Sequence, residues 1–523
     1  MFKKIIHSLV AVTMLTTATS CNDWLEIKPN NEQITADFWK SKEDVESVVL
    51  SGYVYLLSSV PTLIKWGELR GGTFYTLGTE YMLQDFNLTT THSICKYNTI
   101  YQIINAANSV LKYAPEVCAT DATYHESIMN AHLCEAYFLR AYSYLVLLKN
   151  FKEVPLVLEP YVDDTASFDI AKSSEEEIVA QIKADVEAAL ATGAAKGRYG
   201  DDTWENQGRA TKWALYALMA DVCLWSEDYD TCKEYCDKIL LATDAFRPTL
   251  LKETSKWFDI FCPGNSNEGI FEVCWNYQLS AGTNNNFTSL WTLDNTSSTL
   301  RFSDSAIDAI CDEAMELYAA NPDAQGRVGR IDHASVYLGD GTGISNYATA
   351  KVMYLWKYRG SAEVEVERQT EQDANFIIYR VADIILTKAL AETMTGNYPE
   401  AFRLLNQTRN RAGLSNFEGI DDDDAAAIAN LDEITLLEGI LKERQIEFLG
   451  EGKRWYDILW FGRIENNKYK DDFISLVIEG NMTTNSSWIR SVLANTNSWY
   501  MPLPQSDIDH NRLLIQNPYY NSK

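Results

Sequence analysis

The sequence predicts a mainly α-helical protein: a scaffold of paired helices, interrupted by one long, loop-rich insertion that contains a few short strands. Three observations predict it. Apolar residues recur at i, i+3, i+4 and i+7 around residues 98–113, 127–149, 174–191, 208–224, 230–241, 373–394, 398–410 and 432–448, the spacing that gathers them on one helix face. Glycine and proline are few and concentrate between those stretches. Only residues 268–276 clearly alternate as a strand does.

The chain opens on a targeting segment. Lys3 and Lys4 precede an apolar run from Ile5 to about Leu15, and small and hydroxylated residues lead to Ala18-Thr19-Ser20-Cys21. That order (positive, apolar, small) is a secretory signal over residues 1–20. The run is shorter than the roughly 20 residues a membrane span needs. Cys21 stands where a lipoprotein signal places the thiol that takes a diacylglycerol and becomes the new N-terminus. No later segment reads as apolar enough to span. The expectation is membrane attachment through the lipid alone.

The 523 residues carry a net charge of −28, and removing residues 1–20 takes away two lysines and no acid, leaving −30. A chain this acidic repels phosphate backbones and anionic lipid surfaces, which argues against nucleic acid as a partner. With 46% hydrophobic residues it can bury a large core. Of ten cysteines, one is assigned to the lipid, and the remaining nine form no Cys-x-x-Cys. Most fall among apolar residues and read as small buried side chains, and no metal site is expected.

Two helix pairs repeat each other. Ala220 stands nine residues before Tyr229, with Cys232 three beyond it; Ala389 stands nine before Tyr398, with Ala401 three beyond. Each reads as helix, tight polar turn, tyrosine, second helix. This is the tetratricopeptide-like pattern, in which small residues let paired helices approach. Helices over 127–149 with 174–191, and 432–448 with the segment C-terminal to it, are candidates for further pairs. The insertion, about 245–370, is rich in Asn, Ser, Thr, Gly and aromatics.

Five segments, spread over the chain in order, resemble the SusD/RagB family of outer-membrane lipoproteins. They are Cys21-Asn-Asp-Trp-Leu-Glu-Ile-Lys-Pro29, Cys134-Glu-Ala-Tyr-Phe-Leu-Arg-Ala141 through Val154-Pro155, Gly269-Ile-Phe-Glu-Val273, Glu443 through Asp457, and Met501-Pro-Leu-Pro-Gln-Ser506 with Gln516-Asn-Pro518. Gly450 and Lys453 depart from the family's usual residues. The resemblance implies one SusD-like domain over 21–523 with a ligand-facing insertion. It further implies a SusC-like TonB-dependent transporter as partner, an oligosaccharide or sometimes a peptide as ligand, an outward-facing position on the outer membrane, no cofactor and no catalysis.

Sugar rings present C–H faces that stack on Trp and Tyr, while amides and Arg bond the hydroxyls. Two regions offer both. Trp66 to Tyr81 supplies Trp66, Arg70 and Tyr75; Asn276 to Trp291 supplies Tyr277, Asn284, Asn286 and Trp291. These seven are the expected glycan-binding residues. A peptide ligand is the alternative, and a glycoside hydrolase a further one. For the last, Glu443, Glu447 and Glu451 are spaced four apart, at a separation compatible with a glycosidase pair, but interleaved Lys442, Arg444, Lys453 and Arg454 favour ion pairing. The Asp421–Asp424 run reads as solvated.

Overall fold

A computed structural model describes residues 38–162, 167–201, 203–252, 257, 259–275, 287–291, 300–320, 329–331, 335–337, 353–358, 374–481 and 485–521. Helix α1 (Lys42–Glu68) is started by a capping box, Ser41 and Asp44 each bonding the other's backbone N–H. It packs on α2 (Asn98–Thr120), which packs on α3 (Glu126–Phe151), and that on α4 (Glu175–Ala191). A second capping box, Ser174 with Glu177, starts α4, whose first turn holds three glutamates that suit the positive end of the helix.

The two sequence repeats are the pairs α5 (Lys212–Trp225) with α6 (Tyr229–Leu240), and α8 (Val381–Met394) with α9 (Tyr398–Arg411). Between them α7 (Asp304–Ala320) lies within the insertion. Ala220, Cys232, Ala389 and Ala401 have no exposed surface, so Cys232 fills the small-residue position that Ala401 fills in the other pair. The turns match as well: Glu227 and Gly396, at equivalent positions, are both left-handed, with φ of 60° and 76°. Helix α6 packs directly on α8, so the pairs stack as neighbours although the insertion separates them in sequence. The array continues through α9 to α10 (Glu433–Glu447) and α11 (Arg454–Asn467), and α11 returns to α1. Three helices complete the chain: α12 (Lys470–Gly480), α13 (Ser486–Leu493) and α14 (Gln505–His510). This is the mainly α, tetratricopeptide-like scaffold that the periodicity predicts.

Three differences from the sequence reading have physical causes. The pattern around 373–394 is not all helix: Phe376–Arg380 is a strand, and only Val381 onward is helical. All five strand residues are buried, so Phe-Ile-Ile-Tyr-Arg reads as one apolar run with the helix after it. Helix α1, missing from the predicted set, contains Gly52 and Pro61, which mask its period. By length and composition α1 is also apolar enough to cross a bilayer, contrary to expectation. It serves as a core helix, packed on α2, α3 and α11.

The described strands form three antiparallel pairs: β1 (Phe74–Thr76) with β3 (Leu300–Phe302), β2 (Gly269–Val273) with β6 (Phe376–Arg380), and β4 (Val336–Tyr337) with β5 (Tyr354–Leu355). The β2–β6 ladder carries a bulge between Gly269 and Glu272. One hydrophobic cluster runs from Val45 to Tyr520, through helices and insertion alike. All nine described cysteines are free, and Cys95, Cys134, Cys223, Cys232 and Cys236 are buried, as small apolar side chains.

Candidate functional site

Three of the expected glycan-binding side chains are interior groups, and the expectation is corrected for them. Trp66 has no exposed surface; its indole N–H donates to the Ile94 carbonyl at 2.8 Å and its ring meets Phe151 edge-on. Arg70 is buried, donating to the Trp499 carbonyl at 3.1 Å and to Asn150 Oδ1 at 2.8 Å, with its guanidinium 4.4 Å from the centre of the Trp455 ring. Trp291 is also buried, 4.9 Å from Phe74 between ring centres. A ring with no free face cannot stack on a sugar. The glycines beside Trp66 and Arg70, read as loop residues, are packing residues instead. A Cβ on Gly67 would stand 1.9 Å from the Gly452 carbonyl oxygen, and Gly72, at φ 78°, lies against Gly480. The end of α1 is therefore clamped between backbones, and the side chains around it turn inward.

Tyr75 behaves differently. In β1 the outer residues Phe74 and Thr76 are buried and Tyr75 between them is half-buried; in β3 Leu300 and Phe302 are buried and Arg301 is half-buried. Tyr75 and Arg301 are paired across the ladder, and residues directly opposite share a face. The outer face of β1–β3 thus presents a phenol ring beside a guanidinium, and neither side chain bonds a described residue. The inner face is fixed by Phe74 against Phe302 at 4.6 Å, and by Ser303, whose hydroxyl donates to the Gly72 carbonyl at 2.6 Å. The chain after β1 carries exposed Leu77 and Tyr81. It is held by Thr76 N–H donating to Gln84 Oε1 at 3.1 Å and by a Lys65–Glu80 ion pair.

Tyr277, Asn284 and Asn286 lie outside the described residues, as does Cys21. Their surroundings are informative nonetheless. The chain leaves at Trp275 and is back at Phe287, and these two rings are 4.7 Å apart. Four residues later Trp291 lies under Phe74 of β1. The two regions singled out in the sequence therefore meet at one strand pair. Arg301 was not singled out, although Leu300-Arg-Phe302 alternates apolar, polar, apolar and that signal was available.

The carboxylates of the hydrolase alternative are sealed inside. Arg330 bonds Glu313, Glu443 and Glu447; Arg380 bonds Glu268, Glu447 and Glu451; Arg411 bonds Glu268 and Glu447; Lys357 bonds Glu451 at 2.7 Å. Three arginines and Lys357 hold Glu447 well below the usual carboxylate range, against the burial that would raise it. Glycosidic cleavage needs one carboxyl that gives up a proton beside the sugar and another open to it, and these three can reach no ligand. The network instead ties the insertion, through Arg330 and Lys357, to α7 and α10. Among the described residues no three His, Cys, Asp or Glu side chains converge as a metal site. Asp424 of the acidic run caps a short helix through the Ala427 N–H.

The geometry is matched by likeness to known proteins. Residues 23–224 match the family model described as "Starch-binding associating with outer membrane", and residues 269–520 match the SusD family model. A SusD-like protein P38 of Formosa agariphila is 23% identical over 496 residues, covering 88% of this chain and 91% of that one. Two solved structures share the fold. A SusD superfamily protein from Bacteroides thetaiotaomicron superposes with a TM-score of 0.71 at 19% identity, covering 92% of this chain and 99% of its own. A laminarin-binding SusD-like protein superposes at 0.67 with 18% identity, covering 92% and 100%. With two family models that together take in both halves of the sequence, and a fold that closes them into one helical array, this chain belongs to the SusD/RagB family.

Proposed function

We propose that this protein captures a glycan on the outer face of the β1–β3 ladder and delivers it to a SusC-like TonB-dependent transporter. In this reading a lipid on Cys21 holds it on the outer membrane, facing the exterior. The observation that carries the reading is the Tyr75–Arg301 pair, an aromatic face beside a donor that bonds no described residue, on a rigid ladder. A sugar needs both: its C–H face lies on the ring, and its hydroxyls accept from the guanidinium. Tyr277, Asn284 and Asn286 belong to the same reading, because their loop leaves and rejoins the chain beside that ladder. The laminarin-binding relative and the starch-binding family description support the ligand class. The chain's task is binding and orientation, and the energy of import is the transporter's.

Calorimetric titration of the purified protein against plant, microbial and host glycans tests this. A saturable heat with one glycan, weakened at least tenfold in Tyr75→Ala at unchanged thermal stability, is the expected result. Heat that continues after each injection would mean turnover and overturn the binding role. Binding of peptides and of no glycan would overturn the ligand class. Recovery of a TonB-dependent transporter with the protein from detergent-solubilised membranes tests the partner.

A further inference from the structure

A second surface has the chemistry of a ligand site, and it is remote from β1. The N-terminal halves of α1 and α2, the segment 155–170 and α14 enclose a groove of about 830 Å³, within the range of small-ligand clefts, about 300–1,000 Å³. It reaches Tyr55 on α1, thirteen residues before the helix ends at Glu68, and so about 20 Å along the axis from the start of the β1 region.

One wall is an aromatic platform built in advance. Tyr161 and Phe168 stack at 5.0 Å and 15°, and Phe168 is 56% exposed. Asn105 pins this platform to α2 from both sides: its amide donates to the Tyr161 carbonyl at 3.2 Å, and its carbonyl accepts from the Tyr161 N–H at 2.7 Å. Tyr101 forms the floor, its hydroxyl donating to the Pro155 carbonyl at 2.8 Å. Across from the platform, half-buried Tyr55 and the exposed amides of Asn98 and Gln102 line the groove and bond no described residue. Fixed rings facing free amides reduce the ordering cost of binding.

Charge narrows the occupant. Among the described residues no lysine or arginine lines the groove, and its ionisable lining beyond tyrosine is Asp507 and His510, so nothing there compensates a phosphate, sulfate or carboxylate. No described strand edge borders it to pair with a peptide backbone. A second copy of this chain would bring a further net charge of −28 against the first. We infer that this groove binds a neutral oligosaccharide, stacked on Tyr161 and Phe168 and bonded by Asn98 and Gln102, as a site independent of the β1–β3 face.

Hydrogen–deuterium exchange of the purified protein, with and without malto-, laminari-, cello-, xylo- and mannohexaose, separates the two sites. One of these probes is expected to slow exchange in peptides covering 97–109 and 506–514, with the protection retained in Tyr75→Ala. The Tyr55→Ala/Phe168→Ala protein is expected to lose it at least tenfold in affinity. Gln102→Ala, an exposed change that leaves the fold intact, is expected to weaken it severalfold. Groove peptides unprotected by every hexaose, or protection that survives both groove variants, would overturn the inference. Protection of 74–76 and 300–302 in that case would leave the β1–β3 reading standing. Protection of the groove alone would sink the β1–β3 reading and keep this one.

Discussion

Glu68 lies at the end of α1 with 1% of its surface exposed, and its one hydrogen bond to the protein is Oε1 accepting from the Gly452 N–H at 2.7 Å. Burial, reinforced by Glu451 and Asp457 and only partly opposed by Lys357, pushes its carboxyl up to about 8. An unfolded glutamate ionises near 4.5. Between those values the unfolded chain has lost a proton that the folded chain keeps, so folding stability falls as pH rises through this window. Each pH unit costs about 1.4 kcal/mol, which gives roughly 3 kcal/mol at pH 7 and almost nothing at pH 4. Glu68→Gln keeps an acceptor for Gly452 and removes the ionisable group. Urea unfolding of both proteins at about pH 4, 5.5, 7 and 8 is the assay. The expected gap favours the glutamine variant and widens with pH, to about 3 kcal/mol at pH 7. A gap that stays constant with pH, or a variant less stable at pH 7, would refute the reasoning.

Three further outcomes are expected. Arg330→Met strands Glu313, Glu443 and Glu447 in the interior and should cost about 3–5 kcal/mol in denaturant unfolding, as removal of one partner of a buried ion cluster does; a loss under about 1 kcal/mol would mean the carboxylates find water. Gly396→Ala meets no atom within 4 Å but forces an L residue to φ 76°, so its thermal midpoint should fall by the equivalent of about 1 kcal/mol; no change would mean the turn relaxes, as Glu227 accommodates it in the other pair. Arg301→Ala should weaken glycan binding by about 1.5–3 kcal/mol, the loss of hydrogen bonds to a charged donor, with stability unmoved within about 0.5 kcal/mol; titration calorimetry and a thermal melt read the two separately.

The scaffold was legible because it is encoded locally. A helix declares itself through a period of 3.6 residues, and Ala220 with Cys232 and Ala389 with Ala401 showed the pairing in the sequence itself. What stayed hidden was set at long range. β1 and β3 are three residues each and separated by over 200 in sequence, too short for alternation to register and too distant to suggest their pairing. Residues 376–380 are buried on both faces and carry no period that separates strand from helix. The site was legible in region and wrong in detail. Trp66, Arg70 and Tyr75 are near neighbours in sequence, and composition cannot tell which turn inward. That was decided by Gly67 and Gly72 packing against Gly452 and Gly480, contacts across roughly 400 residues. The ion pairing of Glu443, Glu447 and Glu451 was readable from the interleaved cations, but its main partners, Arg330, Arg380 and Lys357, lie elsewhere in the chain.

Charge distribution links these features to the ligand. Among the described residues the buried ionisable groups are twelve acids and ten Lys or Arg. Two of those acids, Glu68 and Glu272, are pushed up by burial to about 8 and about 7, so near neutral pH they tend to keep their protons. The interior is thereby close to electrical balance, as a low-dielectric medium demands. The chain's net charge of −28 therefore lies outside that interior, on surfaces and in segments that meet solvent. An acidic surface repels sulfated and uronic chains before they reach any site, and a neutral glycan feels no such penalty. Against that background a guanidinium such as Arg301, half-exposed and unpaired with any described acid, supplies donors without a charged ligand being required. In the α1–α2 groove, which has no cation among its described lining, exposed amides take that part.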